Sequence, residues 1–290
     1  MISAALVKEL REITGAGMMD CKRALVETKG NMEEAVIWLR EKGIMKAAKK
    51  ESRIAAEGVC AYAIAGNKAV VYEVNAETDF VAKNQKFLDL VSEIGNAILK
   101  SDAKNDEEAL EAKTAEGTVK DLVIAATATI GEKISLRRIN VFTKTDNQVF
   151  GAYSHMGGKI VALSVLDGNN AEVAKDVCMH VAAMSPKYLD RSKVDADFLA
   201  SETEILRQET LNEGKPENIV DKIVVGKVQK MLKTICLVDQ MFVKNQDITV
   251  GQYVKDNKSN IVTYIRLEVG EGIEKRKDDF VAEVMAAVNN

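Results

Sequence analysis

An α+β fold is predicted from three observations on this 290-residue chain. Three short helical stripes occupy roughly its first fifty residues. A pattern of strand hairpin, helix and later strand then occurs twice. A proline-broken pair of long helical stripes interrupts the second occurrence.

In residues 1–53, Leu6, Val7, Leu10 and Ile13 stripe a first helix, which Gly15-Ala16-Gly17 breaks. Met18, Cys21, Ala24 and Leu25 stripe a second, ended by Gly30 in the manner of a left-handed C-terminal glycine. Asn31 caps a third, with Glu34 spaced as its capping-box partner; Met32, Ala35, Val36 and Leu39 supply its face. Together they predict a very small three-helix bundle. The basic run Lys42, Lys46, Lys49, Lys50 and Arg53 reads as a solvated helical linker, as charge runs usually do.

Residues 54–142 change period. Val59 to Ala65 and Ala69 to Asn75 alternate as strands and meet at Gly66-Asn67, a hairpin signal. A helix is expected from Asn84 to Lys100, with Phe87, Leu88, Val91, Ile94 and Ile98 on one side. Val119, Leu122, Val123, Ala126 and Ile130 stripe another, and Ile134 to Phe142 returns to strand. The charged stretch Ser101–Gly117 is given no role. Ninety-one residues after Ala61-Tyr62 stands Ala152-Tyr153; at the same shift Lys68, Val70 and Val74 meet Lys159, Val161 and Val165. A helix follows again from Ala171 to Met184, and residues 261–268 supply the later strand. This predicts a duplicated core, its second copy formed by residues 143–186 and 236–268. Residues 187–235 interrupt that copy. Two helices, Asp195 to Asn212 and Glu217 to Ile235, flank Gly214-Lys215-Pro216 and predict an antiparallel helical hairpin arm.

Composition narrows the function. Charged residues make up 29% of the chain, yet the net charge is −4 and the pI about 5.5; a strongly electrostatic nucleic-acid binder would carry a basic domain. The amino terminus runs straight into an amphipathic pattern, which predicts no signal peptide, and no apolar window predicts a membrane span. Cys21, Cys60, Cys178 and Cys236 are scattered, as expected of reduced thiols in a cytoplasmic protein. Cys178 and His180 stand two apart on a predicted helix and so do not face each other; with His155 they make two lone histidines and isolated thiols, not a zinc site with ligand spacing. Gly157-Gly158-Lys159 leads into Ile160 and lacks the remaining pattern of a phosphate-binding loop. No cofactor is expected.

Two features are hard to assign to a core. Phe80, in Thr78-Asp79-Phe80-Val81-Ala82-Lys83-Asn84, stands where a strand gives way to a helix. It reads equally as a hydrophobic staple or as an exposed aromatic anchor for a partner. Met18 and Met19, adjacent at a helix start, cannot both point inward, so one is expected to be exposed; flexible thioethers suit binding surfaces.

The motifs Leu6-Val7-Lys8-Glu9-Leu10-Arg11, Thr14 to Lys22, Thr78 to Asn84 and Glu268-Val269-Gly270-Glu271-Gly272-Ile273-Glu274-Lys275 occur in one order along nearly the whole chain. On them the chain resembles the bacterial translation elongation factor Ts family, guanine-nucleotide exchange factors for elongation factor Tu. The resemblance implies an N-terminal ubiquitin-associated-like three-helix domain (1–53), a core of two subdomains (54–142, then 143–186 with 236–268), the inserted arm (187–235) and a C-terminal helical module (269–290). Phe280, Val281, Val284 and Met285 would give that module its apolar side.

The same resemblance implies roles. Thr78, Asp79, Phe80 and Val81 match the segment that disturbs Mg²⁺ binding in elongation factor Tu, the phenylalanine wedging between helices of its nucleotide-binding domain. Arg11, Met18, Met19 and Lys22 match residues gripping that domain, and His155 matches one facing the partner's third domain. The expected partner is elongation factor Tu, GDP-bound and nucleotide-free, with no direct nucleic-acid or membrane contact. The arm is free to pair with a second copy, pack on the core or touch the partner. Two departures fall in the second subdomain. Met241 replaces the usual proline in Gln240-Met241-Phe242-Val243, and Lys159-Ile160-Val161 stands where Ile-Gly-Val often follows the basic residue. Two other readings stay open on residues alone. One is a ubiquitin-associated-type peptide binder, resting on residues 1–45; the other is a cytosolic enzyme using Cys178 or His180.

Overall fold

The structure, a computed structural model, describes residues 2–274. The expected C-terminal apolar side of Phe280, Val281, Val284 and Met285 lies outside them. Chain contacts define two units: 2–63, 70–141 and 268–274 in one, 64–69 and 142–267 in the other. Helices and sheets are mixed, as predicted.

The first unit begins with α1 (Ala4–Thr14), α2 (Met18–Glu27) and α3 (Met32–Ala48). Val7, Leu10, Cys21, Ala24, Leu25 and Ala35 bury their side chains between them. Gly15 ends α1 at φ 64°, a left-handed conformation that glycine adopts without Cβ strain. Asn31 caps α3 by accepting from the Glu34 N–H at 3.2 Å; only this half of the expected capping box forms. The basic run stays at the surface, with Lys42, Lys46, Lys49 and Arg53 exposed, and several of its members find partners there. α3 continues through Lys42 and Lys46, and Lys46 Nζ lies 2.7 Å from Asp20 Oδ2. Lys50 Nζ donates to the Gly131 carbonyl, and Arg53 pairs with Glu77.

Then come β1 (Glu57–Ala65), β2 (Lys68–Ala76), α4 (Asp79–Ala82), α5 (Gln85–Lys100), α6 (Asp106–Leu110), the short β3 (Lys113–Thr114) and β4 (Gly117–Thr118), α7 (Val119–Ile130) and β5 (Ser135–Thr143). The main sheet has the order β1-β2-β5. Its central strand, β2, is buried from Ala69 to Ala76. Alternate residues therefore split between two covered faces, and Val70, Tyr72, Val74 and Ala76 join Phe87, Val91, Ile94 and Ile98 of α5 in one core. Thr118 and Asp121 form a full capping box at the start of α7. The stretch Ser101–Gly117, given no role from sequence, closes this core. Ala103, Ala109 and Ala112 are buried in it, and the Asp106 carboxylate accepts from the Arg138 and Ile139 N–H groups at 3.1 and 2.9 Å.

The second unit holds β6 (Gln148–His155), β7 (Ile160–Asp167), α8 (Ala171–Met184), α9 (Ala196–Asn212), α10 (Glu217–Ile235), β8 (Met241–Phe242), β9 (Asn245–Thr249), α11 (Val250–Asp256) and β10 (Asn260–Glu268). β6 and β7 pair antiparallel from Gln148↔Asp167 to His155↔Ile160, and the sheet order is β10-β7-β6. Each main sheet thus has its hairpin's second strand in the middle and the later strand outside it. The register of the repeat, however, is not the 91-residue shift. On β2, Val70, Tyr72, Val74 and Ala76 face α5. On β7, Ala162 and Leu166 pack with α8, and Ser164 Oγ donates to the α8 carbonyl of Ala174 at 3.1 Å. Val70 therefore corresponds face for face to Ala162, a shift of 92 residues, and not to Val161. A slip of one residue sends every side chain to the opposite face.

α9 and α10 pack against each other. Asp195 caps α9 through the Phe198 N–H (2.8 Å), and Pro216 sits at the N-cap of α10. The segments flanking the pair are joined where the Leu237 N–H donates to the Tyr188 carbonyl at 2.8 Å.

Candidate interaction site

Thr78 caps α4, and Asp79, Phe80 and Val81 are its first three residues. A helix this short closes too few hydrogen bonds to nucleate alone, so outside contacts must fix it. Ala82 is buried and Val81 packs beside the first unit's core. Thr78 Oγ1 caps the turn by accepting from the Val81 N–H at 3.4 Å. Lys83 Nζ lies 2.6 Å from Asp79 Oδ2, and this hydrogen bond raises the Lys83 pKa. Phe80 is 82% exposed. A staple would bury that ring, so the staple reading falls.

Behind the turn, two segments distant in sequence clasp each other. Glu132 Oε2 accepts from the Glu77 and Thr78 N–H groups at 3.1 and 3.0 Å, while Thr78 Oγ1 donates to Glu132 Oε1 at 2.7 Å. In return the Lys133 N–H donates to Glu77 Oε1 at 2.6 Å. Arg53 Nη1 approaches the same Glu77 carboxylate at 3.2 and 3.3 Å, offsetting the repulsion of two neighbouring carboxylates. Sequence reasoning missed Arg53, Glu77 and Glu132. Their contacts join positions with no shared motif or helical spacing.

Arg11 closes the exposed side of α1. On α2, Cys21, Ala24 and Leu25 take the buried side. Met18 and Met19 are 58% and 66% exposed, so both methionines, rather than one, face outward. Met18 and the exposed Lys22 stand four residues apart, on one side of the helix. The first unit thus carries Arg11, Met18, Met19, Lys22 and Thr78 to Val81, whereas His155 belongs to the second. His155 ends β6 exposed, 3.2 Å from the Tyr153 hydroxyl through Nδ1, and the adjacent Met156 is also exposed.

The second histidine and the thiols lie in the interior. His180 is fully buried; its Nδ1 accepts from the Val243 N–H (3.2 Å), which leaves Nε2–H to donate to Gln240 Oε1 (2.9 Å). Burial lowers its pKa, against a smaller opposing effect of Gln240. Burial also pushes the Cys60 and Cys178 thiols up to about 12, with Glu73 adding to the effect at Cys60. Such thiols are poor nucleophiles. Among the described residues no group of three histidine, cysteine or acidic side chains could hold a metal ion, and no helix is long and apolar enough to cross a membrane.

Comparison with known proteins gives a consistent result. The sequence model of a family described as elongation factor TS matches residues 77–271. The elongation factor Ts of Acholeplasma laidlawii (strain PG-8A) is 54% identical over 293 aligned residues, which cover 99% of each chain. That of Lactiplantibacillus plantarum (strain ATCC BAA-793 / NCIMB 8826 / WCFS1) is 54% identical over 289, covering 100% of this chain and 99% of its own.

Proposed function

Since the chain belongs to the elongation factor Ts family, we propose that it is a guanine-nucleotide exchange factor for elongation factor Tu in the cytoplasm. It binds the GDP form, disturbs Mg²⁺ coordination there and promotes GDP release, so that GTP can enter. No bond is made or broken. The observation that carries this reading is the exposed Phe80 on a short turn held from behind. An apolar ring kept in solvent at a motif shared with the family is an anchor awaiting a partner.

The energetics require more than one contact. Mg²⁺ bridges nucleotide phosphates to protein oxygens, so shifting a partner helix weakens the nucleotide. By reciprocity the nucleotide weakens the exchange factor equally. Each tenfold of weakening needs about 1.4 kcal/mol, whereas burying one phenylalanine supplies roughly 1.5–3 kcal/mol. Phe80, with Thr78, Asp79 and Val81, therefore distorts the partner while other groups hold it. Arg11, Met18, Met19 and Lys22 grip the nucleotide-binding domain and His155 meets the third domain. In this account residues 1–53 are the ubiquitin-associated-like domain. The two main sheets belong to copies of one subdomain, 54–142 and 143–186 with 236–268; 187–235 is the inserted arm and 269–290 the C-terminal module.

The test is release of labelled GDP from elongation factor Tu with and without this protein. Faster release that saturates with protein concentration is expected; an unchanged rate at saturation overturns the proposal.

A further inference from the structure

We propose that Glu132 is a positioning residue for nucleotide exchange, acting on the partner through Phe80. The inference rests on the exchange-factor reading above and adds a residue that the motif itself does not contain.

An exposed aromatic cannot be aimed by its own packing. With 82% of Phe80 in solvent, the direction of the ring is set by the backbone beneath it. That backbone is a four-residue helix with two outside supports. One is apolar: Val81 and Ala82 set against the core. The other is the Glu132 carboxylate, which takes three donors from Glu77 and Thr78. The Thr78 hydroxyl links this carboxylate to the helix. It donates its proton to Glu132 Oε1 and, with its remaining lone pairs, accepts from the Val81 N–H. An ionised acceptor strengthens and shortens such bonds relative to neutral ones, in keeping with the 2.7 Å hydroxyl contact.

Glu132 is itself well placed to act as the fixed end. It follows Gly131, the left-handed residue (φ 88°) that ends α7, and precedes Ile134, whose side chain is buried and whose N–H donates to Thr127 Oγ1 at 3.1 Å. The flanking Lys133 N–H returns a bond to Glu77. Thus α7 and the start of β5 form a base from which one carboxylate sets the Phe80 turn. Losing it would let the turn sample other orientations without unfolding the unit, because Val81 and Ala82 still pack. The consequence falls on the step in which the ring deforms the partner, and far less on the surfaces that hold the partner.

The experiment measures GDP release from elongation factor Tu against protein concentration for wild type, Glu132→Ala, Phe80→Ala and the double variant. Circular dichroism and thermal melting verify the fold of each. Glu132→Ala is expected to lower the saturating rate roughly tenfold, as loss of charge-assisted hydrogen bonds implies, with the half-saturating concentration moved less than about twofold. In the Phe80→Ala background the same substitution should change the rate by less than about twofold, since the ring it aims is gone. Thr78→Val, which removes the linking hydroxyl and keeps the side-chain shape, should reproduce the effect, and Thr78→Ser should restore the rate. If Glu132→Ala fails to fold, the Thr78 pair and Glu132→Gln carry the same comparison. A Phe80→Ala variant that is slow beside a Glu132 variant that is normal overturns this inference and leaves the exchange reading standing. Equal, multiplicative losses in both backgrounds also overturn it. A normal Phe80→Ala variant overturns this inference and the role given to the ring, while stimulated release by the wild type still supports the exchange reading.

Discussion

Gly95 offers the sharpest structural test. It lies on α5 against Tyr72, whose hydroxyl donates to the Val91 carbonyl at 2.7 Å across the buried core. A Cβ at residue 95 would stand 2.3 Å from Tyr72 Oη and 2.8 Å from Cζ. Both separations are far inside van der Waals contact, and Tyr72, on β2 and facing α5, is 1% exposed. Gly95→Ala should therefore combine overpacking, about 1–3 kcal/mol, with a hydroxyl stripped of its partner, about 1–3 kcal/mol. Against this stands the helical advantage of alanine, about 1 kcal/mol. The expected net loss is about 3 kcal/mol. Urea unfolding followed by circular dichroism measures it. Tyr72→Phe alone should cost about 1 kcal/mol, and in that background Gly95→Ala should cost about 1 kcal/mol less than in wild type, because the hydroxyl contact has gone. A neutral or stabilising Gly95→Ala, or strict additivity of the pair, would refute the close approach.

Two further expectations concern the histidines. His180 is buried neutral with a lowered pKa, so below about 6.5 the unfolded chain takes up a proton that the folded one refuses. Stability contributed by the neutral ring is present above that pH and lost as pH falls, at up to about 1.4 kcal/mol per pH unit; unfolding midpoints between pH 7.5 and 5.5 should show this slope in wild type and lose that part of it in His180→Leu. His155 is exposed, so His155→Ala should leave stability within about 0.5 kcal/mol, weaken complex formation with elongation factor Tu, and spare the saturating exchange rate. A large loss at saturation would contradict its assigned role.

Much of the fold was legible because local rules and tertiary context agreed. Asn84 and Asp195, predicted as first residues of their helices, stand one place before them as caps, and α8 spans the residues its apolar stripe marked, capped by Asn170. The repeat was legible as an order of elements but not as a register, since chance identities at one shift outweighed the alternation that decides which face is covered. The Met18-Met19 pair was half read: burial of α2 is met by Cys21, Ala24 and Leu25, one turn on, leaving both thioethers outside. Phe80 stayed ambiguous because a staple and an anchor share one sequence position and differ only in exposure. The clasp of Glu77 and Glu132 was invisible, because fifty-five residues and four helices separate groups whose bonds follow no period. Gln240, at φ −69° and ψ 142°, holds the conformation that favours a following proline, so the backbone before Met241 is one that a proline at that position would accept.

The central claim is that Phe80 serves a partner and not the fold, and one variant tests it through two readouts. Phe80→Ala removes a side chain of which about a fifth is buried. At roughly 1.5–3 kcal/mol for full burial, the folded chain should lose no more than about 0.5 kcal/mol. The same ring, buried in elongation factor Tu during exchange, should forfeit most of that range, a loss of roughly tenfold to a hundredfold in the rate of stimulated GDP release. An unchanged unfolding curve with slow exchange is the predicted result. An unfolded variant, or a stable one that still releases GDP at the wild-type rate, would contradict the account.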